Sequence, residues 1–243
     1  MVVVGVLLAA ACGGGSGDPT ADWVPNTGPL VHVTGMAFVF GPNDAMLTVQ
    51  DATVAVAESA AIATTVGSDG SFAFDVPSGG PTTFSILKDG FHAGQSATLD
   101  VGSGGIAMLG FQTPTNGAFD SLGTLARVTP DPADCQIATT VSRSGTEPYG
   151  GDGLGADGAV VTIEPPVPAT SGPIYFAYDN GTIFPDRSLT ATSMDGGVIF
   201  ANVPVGEYTL TATKAGATFS PVNIRCRAGV LVNAAPPNGL QQR

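Results

Sequence analysis

Apolar and polar residues alternate with a period of two along several short stretches of this chain. In one stretch the apolar positions alternate with small or polar residues, and they are Phe72, Phe74 and Val76. In a later stretch they alternate with threonines, and they are Tyr208, Leu210 and Ala212. Successive side chains of a β-strand point to opposite faces, so this pattern is typical of a strand with one buried face. Turn residues separate the stretches, and the chain is therefore predicted to be an all-β protein of many short strands.

One block of residue types occurs twice: an Asp-Gly pair, a strand, a Val-Pro pair, a glycine turn, a second strand and Lys-x-Gly. Asp69 and Asp195 open the two copies and lie 126 positions apart, and Lys88 and Lys214 near their ends keep the same spacing. Asp-Gly favours a tight turn because both residues tolerate a left-handed backbone, and proline ends a strand because it cannot donate to the ladder. The repeat predicts two copies of one β-sandwich module in tandem.

The composition between the apolar stretches sets the expected boundaries of these modules. The first sandwich is expected to span 31–111 and the second 135–233. Residues 112–134 shift towards Thr, Pro, Asn, Asp and Gly and are predicted to be a linker, while 234–243 is predicted to be a Pro-containing tail.

Composition and charge narrow the classes of function. The chain has 34 Gly and 19 Pro, which supply many turns, and 43% hydrophobic residues, which is enough for packed cores. Its net charge is −12, and no Lys or Arg precedes Lys88. Nucleic-acid binding requires basic patches on the protein surface. Because the chain is so acidic, binding to nucleic acid is not expected. An anionic membrane surface would also repel the chain, which makes a lipid anchor the expected form of membrane attachment.

The N-terminus carries a candidate anchor. Residues 2–11 form an apolar run that ends directly before Cys12. A helix needs about 20 apolar residues to span a bilayer, so this run fits the h-region of a signal peptide instead. Residues 8–12 resemble a bacterial lipoprotein lipobox, in which the cysteine is lipidated. We therefore expect 1–12 to be a lipoprotein signal peptide with the lipid attached at Cys12, and 13–30 to be a flexible tether. The alternative is a buried N-terminal strand with an incidental cysteine.

The remaining cysteines are expected to pair. The chain has three Cys, which would leave an odd thiol in an exported protein unless Cys12 carries lipid. Cys135 opens the second module and Cys226 lies near its end, where the first and last strands of a sandwich can be neighbours. In an oxidising compartment the two would form a disulfide. Two unpaired buried thiols are the alternative. The expected location is the bacterial cell envelope, with the anchor in the outer membrane or at the cell surface.

The sequence offers few groups for catalysis or metal binding. His32 and His92 are the two histidines, and neither has a second His or Cys at metal-ligand spacing. A nucleophile elbow of the Gly-x-Ser-x-Gly type between a strand and a helix is not recognised. The Gly- and Asp-rich segment 150–158 could hold calcium, but it occurs once and is better interpreted as a loop between strands. No catalytic residue, cofactor or metal site is predicted.

Parts of both halves resemble a known family. Residues 158–163, 190–192, Asp195-Gly196 and 200–210 carry the resemblance in the second half, which is similar over roughly 135–233 to the carboxypeptidase regulatory-like domain family. Residues 51–54, 69–72 and 76–79 carry a looser resemblance over roughly 31–111. The resemblance implies a small seven-stranded, prealbumin-like Greek-key sandwich. It also implies a non-catalytic accessory module of the kind found on secreted and envelope proteins, and it supplies no catalytic residues.

These observations predict a non-enzymatic, lipid-anchored envelope protein with two structural or interaction modules. The expected partners are the membrane, through the anchor, and a surface glycan or an envelope protein. One alternative is a module that binds carbohydrate or a surface polymer, for which the candidate aromatic residues are Tyr149, Tyr175, Phe176 and Tyr178. Strand alternation implies that Phe176 faces away from Tyr175. A second alternative is an accessory subunit of a secreted hydrolase.

Overall fold

A computed structural model describes residues 19–40, 47–145, 155–179, 181–234 and 236–243. Cys12, residues 13–18 of the predicted tether and Tyr149 lie outside these residues. Within the described ranges the chain forms β-strands and one α-helix. The all-β sandwich fold predicted from the alternating residues is confirmed.

Seven strands form the first half, and one helix follows them. They are β1 (Leu30–Val39), β2 (Thr53–Val56), β3 (Ser59–Thr65), β4 (Ser71–Pro77), β5 (Gly80–Leu87), β6 (Gly94–Val101), β7 (Ile106–Thr113) and α1 (Asn116–Ala126). The second half contains β8 (Cys135–Ser142), β9 (Val160–Glu164), β10 (Ile174–Asp179), β11 (Thr182–Asp186), β12 (Gly197–Val203), β13 (Gly206–Thr213), β14 (Val222–Cys226), β15 (Leu231–Ala234) and β16 (Leu240–Gln241).

The two halves repeat one strand topology. In the first half, β1 pairs antiparallel with β4 and parallel with β7, and in the second, β8 pairs in the same two ways with β12 and β15. The facing layers also correspond, because β5 lies between β2 and β6 just as β13 lies between β9 and β14. Strands β10 and β11 extend the β12 edge of the second half.

The repeat extends to single hydrogen bonds at the Asp-Gly turns. The amide of Ala37 donates to the carbonyl of Gly70 over 2.8 Å, and the amide of Val141 donates to the carbonyl of Gly196 over the same distance. Both glycines have a positive φ, 83° and 74°, which a side chain would strain. The spacing of 126 residues therefore reflects equivalent positions in two copies of one backbone arrangement.

Each half has its own core between its two layers. Phe72 and Val76 are buried in the first core, with Phe74 packed partly exposed against it. Leu210 is buried in the second core, with Tyr208 and Ala212 packed partly exposed against it. These are the inward sides that the alternation predicts.

The halves are joined through β6. Its residues pair in parallel with β15, from Leu231 opposite Gly94 to Asn233 opposite Ser96, and Thr98 pairs antiparallel with Asn223 of β14. Hydrogen-bonded strands therefore run without a break from the first half into the second.

A buried ionic cluster lies at the same junction. The Glu58 carboxylate accepts from Arg225 Nη1 over 3.0 Å and from Arg227 Nη2 over 2.8 Å, and it is 1% exposed. The Thr83 amide donates to its other oxygen over 3.0 Å. Trp23, from the predicted tether, is buried and lies beneath both guanidinium groups, 4.7 Å from Arg227. The cluster fixes the segment before β1 and both halves to one another.

The range 112–134, expected to be a linker, contains helix α1. Thr115 caps the helix, since its hydroxyl accepts from the Ala118 amide over 3.2 Å. Arg127 ends it in a left-handed conformation, with φ 56°. Ala126 is buried against Ile174 and Ala201, so the helix packs on the second half.

The range 234–243, expected to be a tail, belongs to the second module. Strand β16 pairs parallel with β8, with Leu240 opposite Val141. The Leu240 side chain is fully buried, and the Arg243 amide donates to the carbonyl of Thr218 over 3.0 Å. A proline-containing segment thus contributes a core residue after its turn.

Candidate functional site: the groove beneath helix α1

The predicted cysteine pair is confirmed as a disulfide. Cys135 and Cys226 are bonded, their Cα atoms are 5.7 Å apart, and both side chains are fully buried. The bond connects the first residue of β8 with the last residue of β14, so it links the two layers of the second sandwich. The lipid-attachment residue Cys12 lies outside the described residues and stays a prediction.

The candidate aromatic cluster is dispersed over different environments. Tyr175 is 1% exposed in the second core, where its hydroxyl accepts from the Val161 amide over 3.0 Å. Burial raises the pKa of this hydroxyl, and the hydrogen bond from Val161 lowers it in part. Phe176 lies on the opposite face of β10, as the alternation predicts, and Tyr178 is exposed. Among the described aromatics of this set, Tyr178 is therefore the one available at the surface.

The Gly- and Asp-rich segment is described from Gly155 onward. An ideal Cβ on Gly155 would lie 2.3 Å from the Cα of Gly196, so glycine is required where these two loops touch. Asp157 is exposed and its side chain accepts from Lys214 Nζ over 3.2 Å. Within the described ranges, no group of three or more His, Cys, Asp or Glu side chains is placed to hold a metal ion.

The predicted histidines lie apart from one another in different settings. His32 on β1 is exposed, and its Nδ1 lies 2.9 Å from a carboxylate oxygen of Asp75 across the strand pair. His92 stacks on Phe119 of α1 with the ring centroids 3.5 Å apart. Burial lowers the pKa of His92, and the charge of Asp120 opposes that effect. Each histidine is thus engaged in a local contact.

A groove of about 500 Å³ lies where helix α1 crosses the junction of the two halves. Its floor is the outward face of β8 and β12, including Ala138, Ile199 and Ala201. Phe119 and Leu122 of α1 form its roof. The ends of β1 and β7 form a wall, to which Phe38, Phe40 and Gln112 contribute. Ligand sites are commonly apolar clefts of about 300–1,000 Å³ at such junctions, so this groove is the candidate site of the molecule.

A few polar groups hold the wall and one end of the groove in place. The Asn233 amide donates to the carbonyl of Gln112 over 2.8 Å and so fastens β15 to β7. Gln136 and Asn202 exchange two hydrogen bonds of 2.9 Å, and Asn202 Nδ2 donates to the carbonyl of Thr129 over 3.0 Å. These bonds secure the chain that leaves α1. The groove is therefore framed by satisfied polar contacts on an otherwise apolar surface.

Asp195 is the one ionisable residue among those that line the groove in the described part of the chain. Its Oδ2 accepts from the Gly197 amide over 3.0 Å. Burial raises the pKa of the Asp195 carboxyl, and the bond from Gly197 offsets this in part. The equivalent Asp69 makes the same type of turn bond with Ser71, but it is exposed and its pKa is lowered by that partner. The two copies thus place one turn carboxylate in solvent and the other at the groove.

The sequence of β12 carries a signal for this groove. In 198–201 the chain reads Val-Ile-Phe-Ala, so both faces of β12 are apolar, whereas β4 alternates with polar residues. A continuous apolar run is typical of a strand covered on both faces. It indicated that something would cover the outer face, although not that α1 would do so.

Among the described residues, the structure contains no helix both long and apolar enough to cross a bilayer. No family model matches the chain. No curated protein matches its sequence. The resemblance to the carboxypeptidase regulatory-like family therefore stays a prediction.

Several solved structures share low similarity with the chain. The Bacillus anthracis TIE protein matches at 13% identity and a TM-score of 0.29, over 84% of this chain and 33% of that protein, so this chain spans about a third of it. The shaft pilin SpaA from Lactobacillus rhamnosus GG matches at 9% identity and a TM-score of 0.26, covering 88% of this chain and 97% of that one. The minor pilin of Streptococcus agalactiae matches at 11% identity and 0.27, covering 87% and 94%. Similarities of this size carry no argument about function, which depends here on the chain's own residues.

Proposed function

We propose that this chain is a non-enzymatic, lipid-anchored protein of the bacterial cell envelope, whose two sandwiches form one body for contacts with a surface glycan or an envelope protein. The observation that carries the proposal is the junction of the halves. Pairing of β6 with β14 and β15, together with the buried contacts of Glu58, holds the two modules at a fixed spacing. Fixed modules present one continuous surface, and a partner that bridges them avoids the entropic cost of ordering a hinge.

The disulfide supports the envelope location. Structural disulfides form and persist in oxidising compartments, and the Cys135–Cys226 bond lies in the core of the second half. The lipobox-like sequence that ends at Cys12 supports attachment by acyl chains. The acidic net charge of −12 supports solubility next to envelope polymers of like charge.

Lipid attachment is tested by metabolic labelling in a bacterial host with a lipoprotein pathway. Radiolabelled palmitate should enter the protein and be absent from a Cys12→Ser variant. The variant should also leave the membrane fraction. A Cys135→Ala/Cys226→Ala double variant is the matched control, because it removes cysteines while preserving the anchor. Equal labelling of the parent and Cys12→Ser, or no labelling of either, would contradict the anchor.

The partner class is tested separately with the purified soluble body. Binding to a panel of envelope glycans, and crosslinking in intact cells followed by identification of the captured envelope protein, distinguish the two expected partners. The Glu58→Ala variant should weaken whichever contact spans both halves, while each half keeps its own core. Turnover of a glycan, ester or peptide substrate that is lost on one loop substitution would overturn the non-enzymatic assignment.

A further inference from the structure

We infer that the groove beneath α1 is a binding site for a small molecule that has an apolar body and a cationic head, with the head placed at Asp195. This site is independent of the envelope anchor and of the partner contacts proposed above. The inference follows from the shape of the groove, the chemistry of its lining and the position of its one carboxylate.

The body of the ligand is specified by the floor and the roof. The floor residues Ala138, Ile199 and Ala201 are small or aliphatic, and Phe119 and Leu122 lie above them. From Gly197 to Ala201 the floor strand extends about 13 Å, at about 3.3 Å per residue. An apolar chain or narrow ring system laid along β12 would therefore replace water over apolar surface, which is the main source of affinity in such sites.

The head is specified by Asp195 at one end of that path. Its carboxylate lies above Gly197 and beside Phe176, because an ideal Cβ on Gly197 would be 2.4 Å from Asp195 Oδ2 and 2.8 Å from Phe176 Cδ2. The absence of a side chain at Gly197 thus leaves the space that the carboxylate occupies. A cation at this position would contact the carboxylate directly, with the Phe176 ring close beside it.

The groups around Asp195 favour a cation and disfavour an anion. The groove contributes the neutral side chains of Thr140, Gln136 and Asn233, and no lining residue in the described ranges is basic. Asp195 has the Gly197 amide as its hydrogen-bond donor and no ion pair with a described Lys or Arg. An ammonium group would supply the missing counter-charge, whereas a carboxylate would be placed against a carboxylate at low dielectric.

The turn bond alone does not account for the placement of Asp195. Asp69 occupies the same turn in the first copy and makes the same type of bond, yet it is exposed and is not among the residues that line this groove. What differs is the surrounding structure: α1 and the ends of β1 and β7 cover the second copy at this point. Asp69→Asn is therefore a matched control for Asp195→Asn.

The test compares octylamine, octanol and octanoate by calorimetry with the purified full chain, in a Cys12→Ser background so that no acyl group at Cys12 can compete. We expect octylamine to bind about tenfold more tightly than octanol, which corresponds to about 1.4 kcal/mol, and octanoate to bind more weakly than octanol. Asp195→Asn should remove the preference for the amine and keep the affinity for octanol. Asp69→Asn should change neither.

A floor variant locates the binding. Ala138→Phe fills the groove and should weaken the binding of all three ligands at least tenfold. In case that variant does not fold, the ligands are added to the parent, where the NMR chemical shifts of backbone amides should change in α1, β8 and β12. Absence of binding by all three ligands, or shifts confined to another surface, would overturn the site. Equal binding of amine and octanoate, or an amine preference that survives Asp195→Asn, would overturn the assignment of the head to Asp195.

Discussion

Glu58 and Arg225 are 167 residues apart in sequence, yet their side chains meet over 3.0 Å at the junction of the two halves. The Glu58 carboxylate is 1% exposed and the Arg225 side chain 10% exposed. Arg225 also reaches Glu207 over 3.1 Å, and Arg227 donates to Gln95 over 3.0 Å. The junction is therefore held by a connected, largely buried polar network, and its members depend on one another.

Removing Glu58 should destabilise the protein strongly. Glu58→Ala leaves two guanidinium groups partly buried beside Trp23 without their shared carboxylate, and loss of one partner of a buried pair costs about 3–5 kcal/mol. The free energy of unfolding in urea measures the effect. Asp75→Ala, which breaks the exposed contact with His32, is the control and should cost about 0–1 kcal/mol. Similar losses in the two variants would show that burial of the junction pair adds nothing.

The same carboxylate should make stability depend on acid. Burial by itself raises the pKa of Glu58, but hydrogen bonds from Thr83, Arg227 and Arg225 outweigh it and hold the pKa below its ordinary value. Its contribution is therefore fully present above the unfolded pKa of about 4.3 and is lost as the pH falls through the lower folded pKa. Glu58→Gln does not titrate, so its unfolding free energy should decline less than the parent's below about pH 4.3. Parallel declines would contradict this account.

The disulfide should stabilise the second half. Cys135 and Cys226 are separated by 91 residues, and loss of a native disulfide typically costs about 2–5 kcal/mol. Urea unfolding of the parent with and without reductant measures the cost, and the Cys135→Ala/Cys226→Ala variant should be insensitive to reductant. Alkylation in denaturant without reductant should label neither cysteine of the pair. Labelling of both would refute the bond.

The sequence predicted the parts of the fold that have a local signal. Alternation at Phe72, Phe74 and Val76 marks a strand whose two faces meet different environments, and the Asp-Gly turns mark its start. The disulfide followed from the count of cysteines and the position of Cys135 and Cys226 at the ends of a module. Each of these features depends on residues that are close in sequence or on the position of residues at the ends of a module.

The parts that were missed depend on contacts between distant residues or on weak local propensities. Helix α1 contains Gly117 and Gly123, which lower helix propensity, so the segment resembled a linker in spite of its cap at Thr115. Pairing of β6 with β15 is made by backbone groups, which leave little trace in side-chain pattern. Glu58 is a single carboxylate whose partners come from the other end of the chain. The groove combines the first two problems, because its roof is α1 and its lining includes Leu231 and Asn233 of β15.

The C-terminal strand should contribute to stability. Leu240 is fully buried, and replacing such a leucine by alanine costs about 2–5 kcal/mol. Leu87→Ala is the control, since Leu87 is 55% exposed and should change the unfolding free energy by about 0.5 kcal/mol or less. Equal small effects would mean that 234–243 behaves as the tail that the sequence predicts.

Replacing Asp195 with a neutral residue should stabilise the free protein at neutral pH. Burial raises the folded pKa of Asp195 above its unfolded value of about 3.9. A carboxyl whose pKa is raised in the folded state contributes most to stability below its unfolded pKa. That contribution is lost as the pH rises through the folded pKa. Asn keeps an oxygen for the Gly197 amide and carries no charge, so Asp195→Asn should have a higher melting temperature than the parent at neutral pH. The difference should vanish below about pH 3.9, where the parent carboxyl is protonated in both states.

Asp69→Asn should behave in the opposite sense, because the contacts of Asp69 with Ser71 lower its pKa and the charged form is the favoured one. The melting temperatures of the parent, Asp195→Asn and Asp69→Asn, measured across this pH range, test both expectations. A lower melting temperature for Asp195→Asn than for the parent at neutral pH would contradict the raised pKa of the Asp195 carboxyl.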